Sequence, residues 1–179
     1  MNPDRTLVTG FLAFEGFDVN PSALLAEGCG RRFELLEVSY AAVDQFIDRL
    51  DPESFDIWLI MGVAGNWSRM RIEMFGRNVV GQRMDVTGRV TSGAIEETGP
   101  AQIAGTLWTL PTFAIESATR RPSDDAGDYL CNYIYYRALR RFEAAGKRIG
   151  FLHVPPLEKM PLEQQLAELR EILRELEVG

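Results

Sequence analysis

The segment Phe55-Asp56-Ile57-Trp58-Leu59-Ile60-Met61, ending at Gly62, constrains the fold more than any other part of the chain. A strand with one face in water alternates apolar and polar residues. This run is apolar nearly throughout, so both of its faces must be covered. That is the position of a central strand in a parallel sheet. Arg148-Ile149-Gly150-Phe151-Leu152-His153-Val154, stopped by Pro155-Pro156, reads the same way, and residues 5–12 form a shorter first strand closed by Gly10. Residues 33–40 are β-like and 69–80 extended, while 82–106 are polar, glycine-dotted and show no period.

Helices fill the intervals. Asn20-Pro21-Ser22 offers an N-cap and a proline for the first turn, ahead of Ala23, Leu24 and Leu25. Ala42, Val43, Phe46, Ile47 and Leu50 recur at helical spacing. So do Ile134, Ala138 and Phe142, on a helix whose other face carries Arg137, Arg140 and Arg141. Leu162, Leu166, Leu169, Leu173 and Leu176 line a terminal helix, suited to the core and equally to an interface between copies of the chain, so a homo-oligomer stays open. Strands alternating with helices predict a layered α/β domain with a mainly parallel sheet. No repeat or linker divides residues 1–179, which read as a single domain.

A chain of 179 residues buries enough surface to need no disulfide or metal staple. Its net charge of −7 argues against nucleic acid and anionic membranes as partners. No segment approaches the roughly 18 apolar residues that span a bilayer. The N-terminus leads into a strand without a signal-peptide core, so the expected compartment is cytoplasmic, where thiols stay reduced. With two cysteines, Cys29 and Cys131, and one histidine, His153, neither a disulfide framework nor a Cys/His zinc site is expected.

Three places combine reactive side chains with suitable surroundings. Cys131 stands at the start of a predicted helix, where unpaired N–H groups and the positive end of the dipole favour a thiolate and can hold an oxyanion. His153 closes a buried strand, and open α/β sheets bind ligands at the carboxyl ends of their strands. Glu73 follows Arg71-Ile72 beyond the strand end at Gly62. Thiolate, imidazole and carboxylate are what a cysteine hydrolase uses as nucleophile, proton shuttle and orienter. Each also has a plain alternative: a structural cysteine, a hydrogen-bonded core histidine, a surface glutamate.

The surrounding motifs narrow the choice. Val8-Thr9-Gly10-Phe11-Leu12-Ala13-Phe14-Glu15-Gly16 with Asn20-Pro21-Ser22 resembles the N-terminal signature of pyroglutamyl peptidase I, a family of cysteine peptidases also called pyrrolidone carboxyl peptidases. Gly62-Val63-Ala64-Gly65 and Glu73 resemble its glycine-rich turn and catalytic glutamate. Asn78 and Arg83 follow where the family has its asparagine and active-site arginine. Thr109-Leu110-Pro111, the block Ser123, Ala126-Gly127, Leu130-Cys131-Asn132, and Gly150-Phe151-Leu152-His153-Val154-Pro155 are similar to further family elements, in family order.

The resemblance implies a three-layer α/β/α sandwich that removes N-terminal pyroglutamyl residues from peptides through a Cys-His-Glu triad and a thioester, with no metal or cofactor. It implies Cys131 as nucleophile, His153 as general base and acid, Glu73 as orienter and Arg83 beside the oxyanion. It also implies Phe11 and Phe14 around the lactam ring, with Asn20, Tyr129 and Leu130 as further substrate-binding residues. A flat, uncharged lactam suits aromatic walls and a few backbone groups. Several departures bear on the substrate collar. Ala13 and Glu15 replace a proline and a glycine, Asn66-Trp67 replaces Gly-Arg, and an Ile-Pro-Asp-Asn element is lost after Met84. The stretch from Pro111 to Cys131 is too short for the family's usual helix and strand. A non-catalytic or substrate-altered member that binds a small ligand or partner is the alternative reading.

Overall fold

The computed structural model describes residues 5–14, 18–65, 67–109 and 113–178. Glu15, Gly16, Asn66, Leu110 and Pro111 of the motifs above lie outside the described residues. In chain order the strands are β1 (Thr6–Phe11), β2 (Arg32–Leu36), β3 (Ile57–Val63), β4 (Met70–Glu73), β5 (Phe75–Arg77), β6 (Gln102–Ala104), β7 (Arg120–Ser123) and β8 (Arg148–Val154). The helices are α1 (Pro21–Gly28), α2 (Tyr40–Arg49), α3 (Leu130–Phe142) and α4 (Leu162–Val178). Six strands form one sheet in the order β2-β1-β3-β8-β4-β7, and β5 and β6 make a separate antiparallel ribbon.

The apolar runs occupy the centre. On β3, Trp58 and Ile60 pack with Leu7, Ile149 and Phe151 beneath α2 and α3, while Ile57, Leu59 and Met61 pack with Val8, Leu152 and Val154 beneath α1 and α4. Both faces of the sheet are therefore covered, and the expected three-layer sandwich is the observed one. Every pairing in the main sheet is parallel except β4 with β8. That reversal brings Arg71 directly opposite His153 and Glu73 opposite Phe151. No helix among the described residues is long and apolar enough to cross a membrane.

Three local expectations change. Gly10 does not close the first strand. It lies inside β1, where a Cβ would stand 2.3 Å from the Ser22 carbonyl oxygen, so the missing side chain lets α1 dock on the strand. Gly62 is likewise interior to β3. The segment before Cys131, short as it is, does hold a strand, β7. This edge is anchored by Arg120, which is 2% exposed, bonds the Ala114 carbonyl (2.7 Å) and pairs with Glu175 (2.7 Å) and Glu168 (3.3 Å) of α4. A buried cation is tolerated when it is paired and bonded in this way.

The aperiodic stretch 82–106 satisfies much of its backbone through side chains rather than ladders. Asn78 accepts from Glu96 N–H (2.8 Å) and donates to the Glu96 carbonyl (2.7 Å), and Asp85 accepts from Tyr40 and Arg89 N–H groups. Bonds of that kind leave no hydrophobic period to read.

Candidate active site

A cavity of about 430 Å³ opens at the ends of the central strands, above the α3 face of the sheet. Its floor is set by backbone register. Gly62 of β3 pairs with His153 of β8, which pairs in turn with Arg71 of β4, so their side-chain directions share one face. Cys131 reaches this row from above, as the second residue of α3. A Cβ at position 62 would fall 2.7 Å from Cys131 Sγ, so glycine there makes room for the sulfur.

The turn into α3 is sharp. Gly127 adopts φ +82°, a left-handed conformation that favours glycine, and its N–H donates to Asp125 Oδ1 (2.8 Å). Tyr129 is the N-cap and gives no side-chain bond to the helix, so no such bond occupies the first N–H groups at the cavity wall. Asn132, fully buried, locks the helix start to β5: its Oδ1 accepts from Arg77 N–H (2.8 Å) and its Nδ2 donates to the Arg77 and Val79 carbonyls.

His153 lies between two groups. Its Nδ1 is 2.8 Å from Glu73 Oε1, and the Cys131 sulfur is near enough to act on the ring electrostatically. Burial works against a charged imidazole, but the Cys131 sulfur and then Glu73 outweigh it and push the ring up to about 10. Glu73 is 1% exposed, and its backbone carbonyl accepts from Tyr135 Oη (2.9 Å) and Trp108 Nε1 (3.0 Å). Burial holds the Tyr135 hydroxyl far above its usual range, so it remains a donor. The carboxylate is thus fixed through its own backbone. A thiol, an imidazole and a carboxylate in this order can form a thiolate–imidazolium pair, attack a carbonyl carbon and return a proton to a leaving group.

The other expected residues also border the cavity: Phe11, Phe14, Asn20, Arg83, Tyr129 and Leu130. Arg83 stacks its guanidinium 4.5 Å from the centre of the Tyr129 ring, whose hydroxyl donates to the Met84 carbonyl (2.9 Å). Asn20 is committed to the backbone. It caps α1 by accepting from Ser22 N–H (3.1 Å) and donates to the Leu12 carbonyl (3.2 Å), while Ser22 Oγ accepts from Phe11 N–H (3.0 Å). Asn20 therefore shapes the loop that carries the phenylalanines. Trp67, one of the collar departures, lines the cavity as well, and so do Arg71, Asp125 and Asp128, which the sequence did not single out. For Arg71 a signal existed, since residues two apart on a strand share a face and Glu73 was already a candidate.

Comparison with known proteins places the chain in a family. The sequence profile of the pyroglutamyl peptidase family matches residues 4–170. The chain belongs to that family. A pyrrolidone-carboxylate peptidase of Thermococcus kodakarensis is 31% identical over 170 residues, covering 84% of this chain and 81% of the relative. One from Chromobacterium violaceum is 31% identical over 173 residues, 87% of this chain and 80% of the relative. The solved pyrrolidone carboxyl peptidase of Thermococcus litoralis superposes with a TM-score of 0.83 at 25% identity, covering 97% of this chain and 92% of its own. The pyroglutamyl peptidase I of Bacillus amyloliquefaciens, at 22% identity and TM-score 0.85, shares the fold over 97% of this chain and 95% of its own. Membership in this family of peptidases makes the chain a hydrolase.

Proposed function

We propose that this enzyme hydrolyses the amide bond after an N-terminal pyroglutamyl residue of peptides, with Cys131, His153 and Glu73 as its catalytic triad. The observation that carries the reading is His153, bonded to Glu73 and sharing, with the Cys131 sulfur at a helix start, a cavity with aromatic walls. Cys131 thiolate attacks the scissile carbonyl carbon, and the oxyanion takes N–H groups at the start of α3, with Arg83 nearby. The C–N bond breaks as His153 gives its proton to the leaving amine, which leaves a pyroglutamyl thioester. Water, deprotonated by His153, then attacks the thioester, releasing pyroglutamate and restoring the thiolate. Glu73 keeps the imidazole oriented and supports its charge. Phe11 and Phe14 take the two faces of the lactam.

A pyroglutamyl chloromethyl ketone tests the nucleophile and the ring pocket together. It is expected to alkylate Cys131 alone, at a rate that falls when a pyroglutamyl peptide competes. Modification of Cys29, or no modification of a folded protein, contradicts the reading.

Gly62→Ala probes the same centre from below. The added methyl group meets Cys131 Sγ and, at 3.0 Å, Phe151 Cζ. A displacement of about 1 Å at a nucleophile costs on the order of a hundredfold in rate. Overpacking of this kind costs about 1–3 kcal/mol in stability. Turnover of a pyroglutamyl amide should therefore fall far more than thermal stability, and an unaltered kcat/KM would contradict the placement of the sulfur.

A further inference from the structure

One part of the cavity is unused by this chemistry. Arg71 lines it with its guanidinium carbon over the half-exposed Trp67 ring, 3.4 Å from the ring centre, and its Nε is buried without a hydrogen-bond partner. Its strand neighbour on β7, directly opposite, is Arg121. Arg69 stands two residues earlier. Like charges facing each other across two strands are destabilising, and among the described residues no carboxylate lies within ion-pair distance of these three arginines. Burial, and then the charge of Arg121, lower Arg71 from its ordinary value, with Glu73 the group that opposes them. The carboxylates nearest in the cavity have other duties: Glu73 holds His153, and Asp125 is taken by Arg77. Asp128 packs against Gly81 at the turn into α3.

The order of the strands says where this cation stands relative to the scissile bond. Across the sheet run β1 with Phe11, β3 with Gly62 beneath the Cys131 sulfur, β8 with His153, β4 with Arg71 and β7 with Arg121. Neighbouring strands are about 4.8 Å apart. The aromatic wall is therefore on one side of the nucleophile, and His153 followed by Arg71 on the other. In the reaction proposed above, the group that leaves takes its proton from His153, so it departs toward Arg71.

Resting on that reading, the geometry points to Arg71, backed by Arg121 and Arg69, as an anion subsite that selects substrates with a carboxylate on the leaving amino acid. Trp67 lies against the guanidinium, whose N–H groups have no carboxylate partner among the described residues to compete with the substrate's. The carboxylate can belong to an acidic side chain or to the free C-terminus of a dipeptide. Either reaches the subsite one residue beyond the scissile bond.

The test compares pyroglutamyl-aspartate amide with pyroglutamyl-asparagine amide, and pyroglutamyl-alanine with its amide. Kinetics are measured on the wild-type enzyme and binding on Cys131→Ala by calorimetry. The charged member of at least one pair is expected to show a kcat/KM about tenfold higher and to bind about tenfold tighter, the size of one charge-assisted hydrogen bond at a half-open site. Arg71→Gln should bring that ratio toward one, Arg121→Gln should reduce it less, and added salt should shrink it. The first pair responding alone assigns the side chain as the source, the second alone the C-terminus. Equal rates and affinities within both pairs, or no binding of any compound, overturn the subsite. Turnover of all four compounds without preference would leave the peptidase reading standing. Selective binding without turnover would keep the subsite and remove the peptidase reading.

Discussion

Replacing Cys131 by alanine is expected to reduce hydrolysis of a pyroglutamyl amide by a factor on the order of 10⁵, because the members of such a triad act as a unit. Cys29→Ala is the control. Cys29 is buried, burial pushes its thiol up, and its sulfur donates to the Ala26 carbonyl (3.0 Å). A protonated, covered thiol is a poor nucleophile, whereas Cys131 is partly exposed at the cavity. Iodoacetamide should accordingly label Cys131 well before Cys29, as read by peptide mass. Full activity in Cys131→Ala, or faster labelling of Cys29, would contradict the assignment.

The second large effect belongs to His153. His153→Ala should cost nearly as much as loss of the sulfur, and Glu73→Gln should be less damaging by on the order of tenfold or more, since an orienter supplies no bonding atom. The chain's only histidine also gives a direct readout by nuclear magnetic resonance. The ring is expected to keep its proton up to about pH 10 in the native enzyme and to lose it at lower pH in Cys131→Ala, where the largest raising influence is gone. The sign for stability follows. A folded value above the ordinary 6.5 means that the native state holds the proton more tightly. The contribution is complete below pH 6.5 and disappears as pH rises to about 10. Activity should fall over the same alkaline limb as the leaving amine loses its proton donor. An imidazole titrating near its ordinary value in the native enzyme would sink the thiolate–imidazolium pair.

Cys131 and His153 were legible as candidates because each sits at a feature sequence patterns reveal: a helix start after a glycine turn, and the end of an apolar strand before two prolines. Glu73 was legible through its motif, since nothing in its own surroundings announces a residue fixed by Tyr135 and Trp108 through its backbone carbonyl. Arg71 could be placed on the face of Glu73 by strand alternation, but not beside His153: that depends on β4 running against β8, and a strand of four residues carries no sign of its direction. The strand β7 was missed for a related reason. Arg-Arg-Pro-Ser has no strand-like composition, and it holds its place through the ion pairs of Arg120 with α4.

The most direct test of the central claim is a parallel kinetic assay on pyroglutamyl, glutamyl, prolyl and alanyl amides of one reporter amine. A neutral lactam held between Phe11 and Phe14 leaves no place for the ammonium and carboxylate of the glutamyl compound, and burying either unpaired costs several kcal/mol. At ~1.4 kcal/mol per decade the pyroglutamyl amide should be favoured at least ~100-fold. The prolyl and alanyl amides, which lack the lactam carbonyl and carry a charged amine, should follow the glutamyl one. Comparable rates on the prolyl and pyroglutamyl amides would contradict lactam recognition, and no cleavage of any by folded, thiol-reactive protein would contradict the peptidase assignment itself.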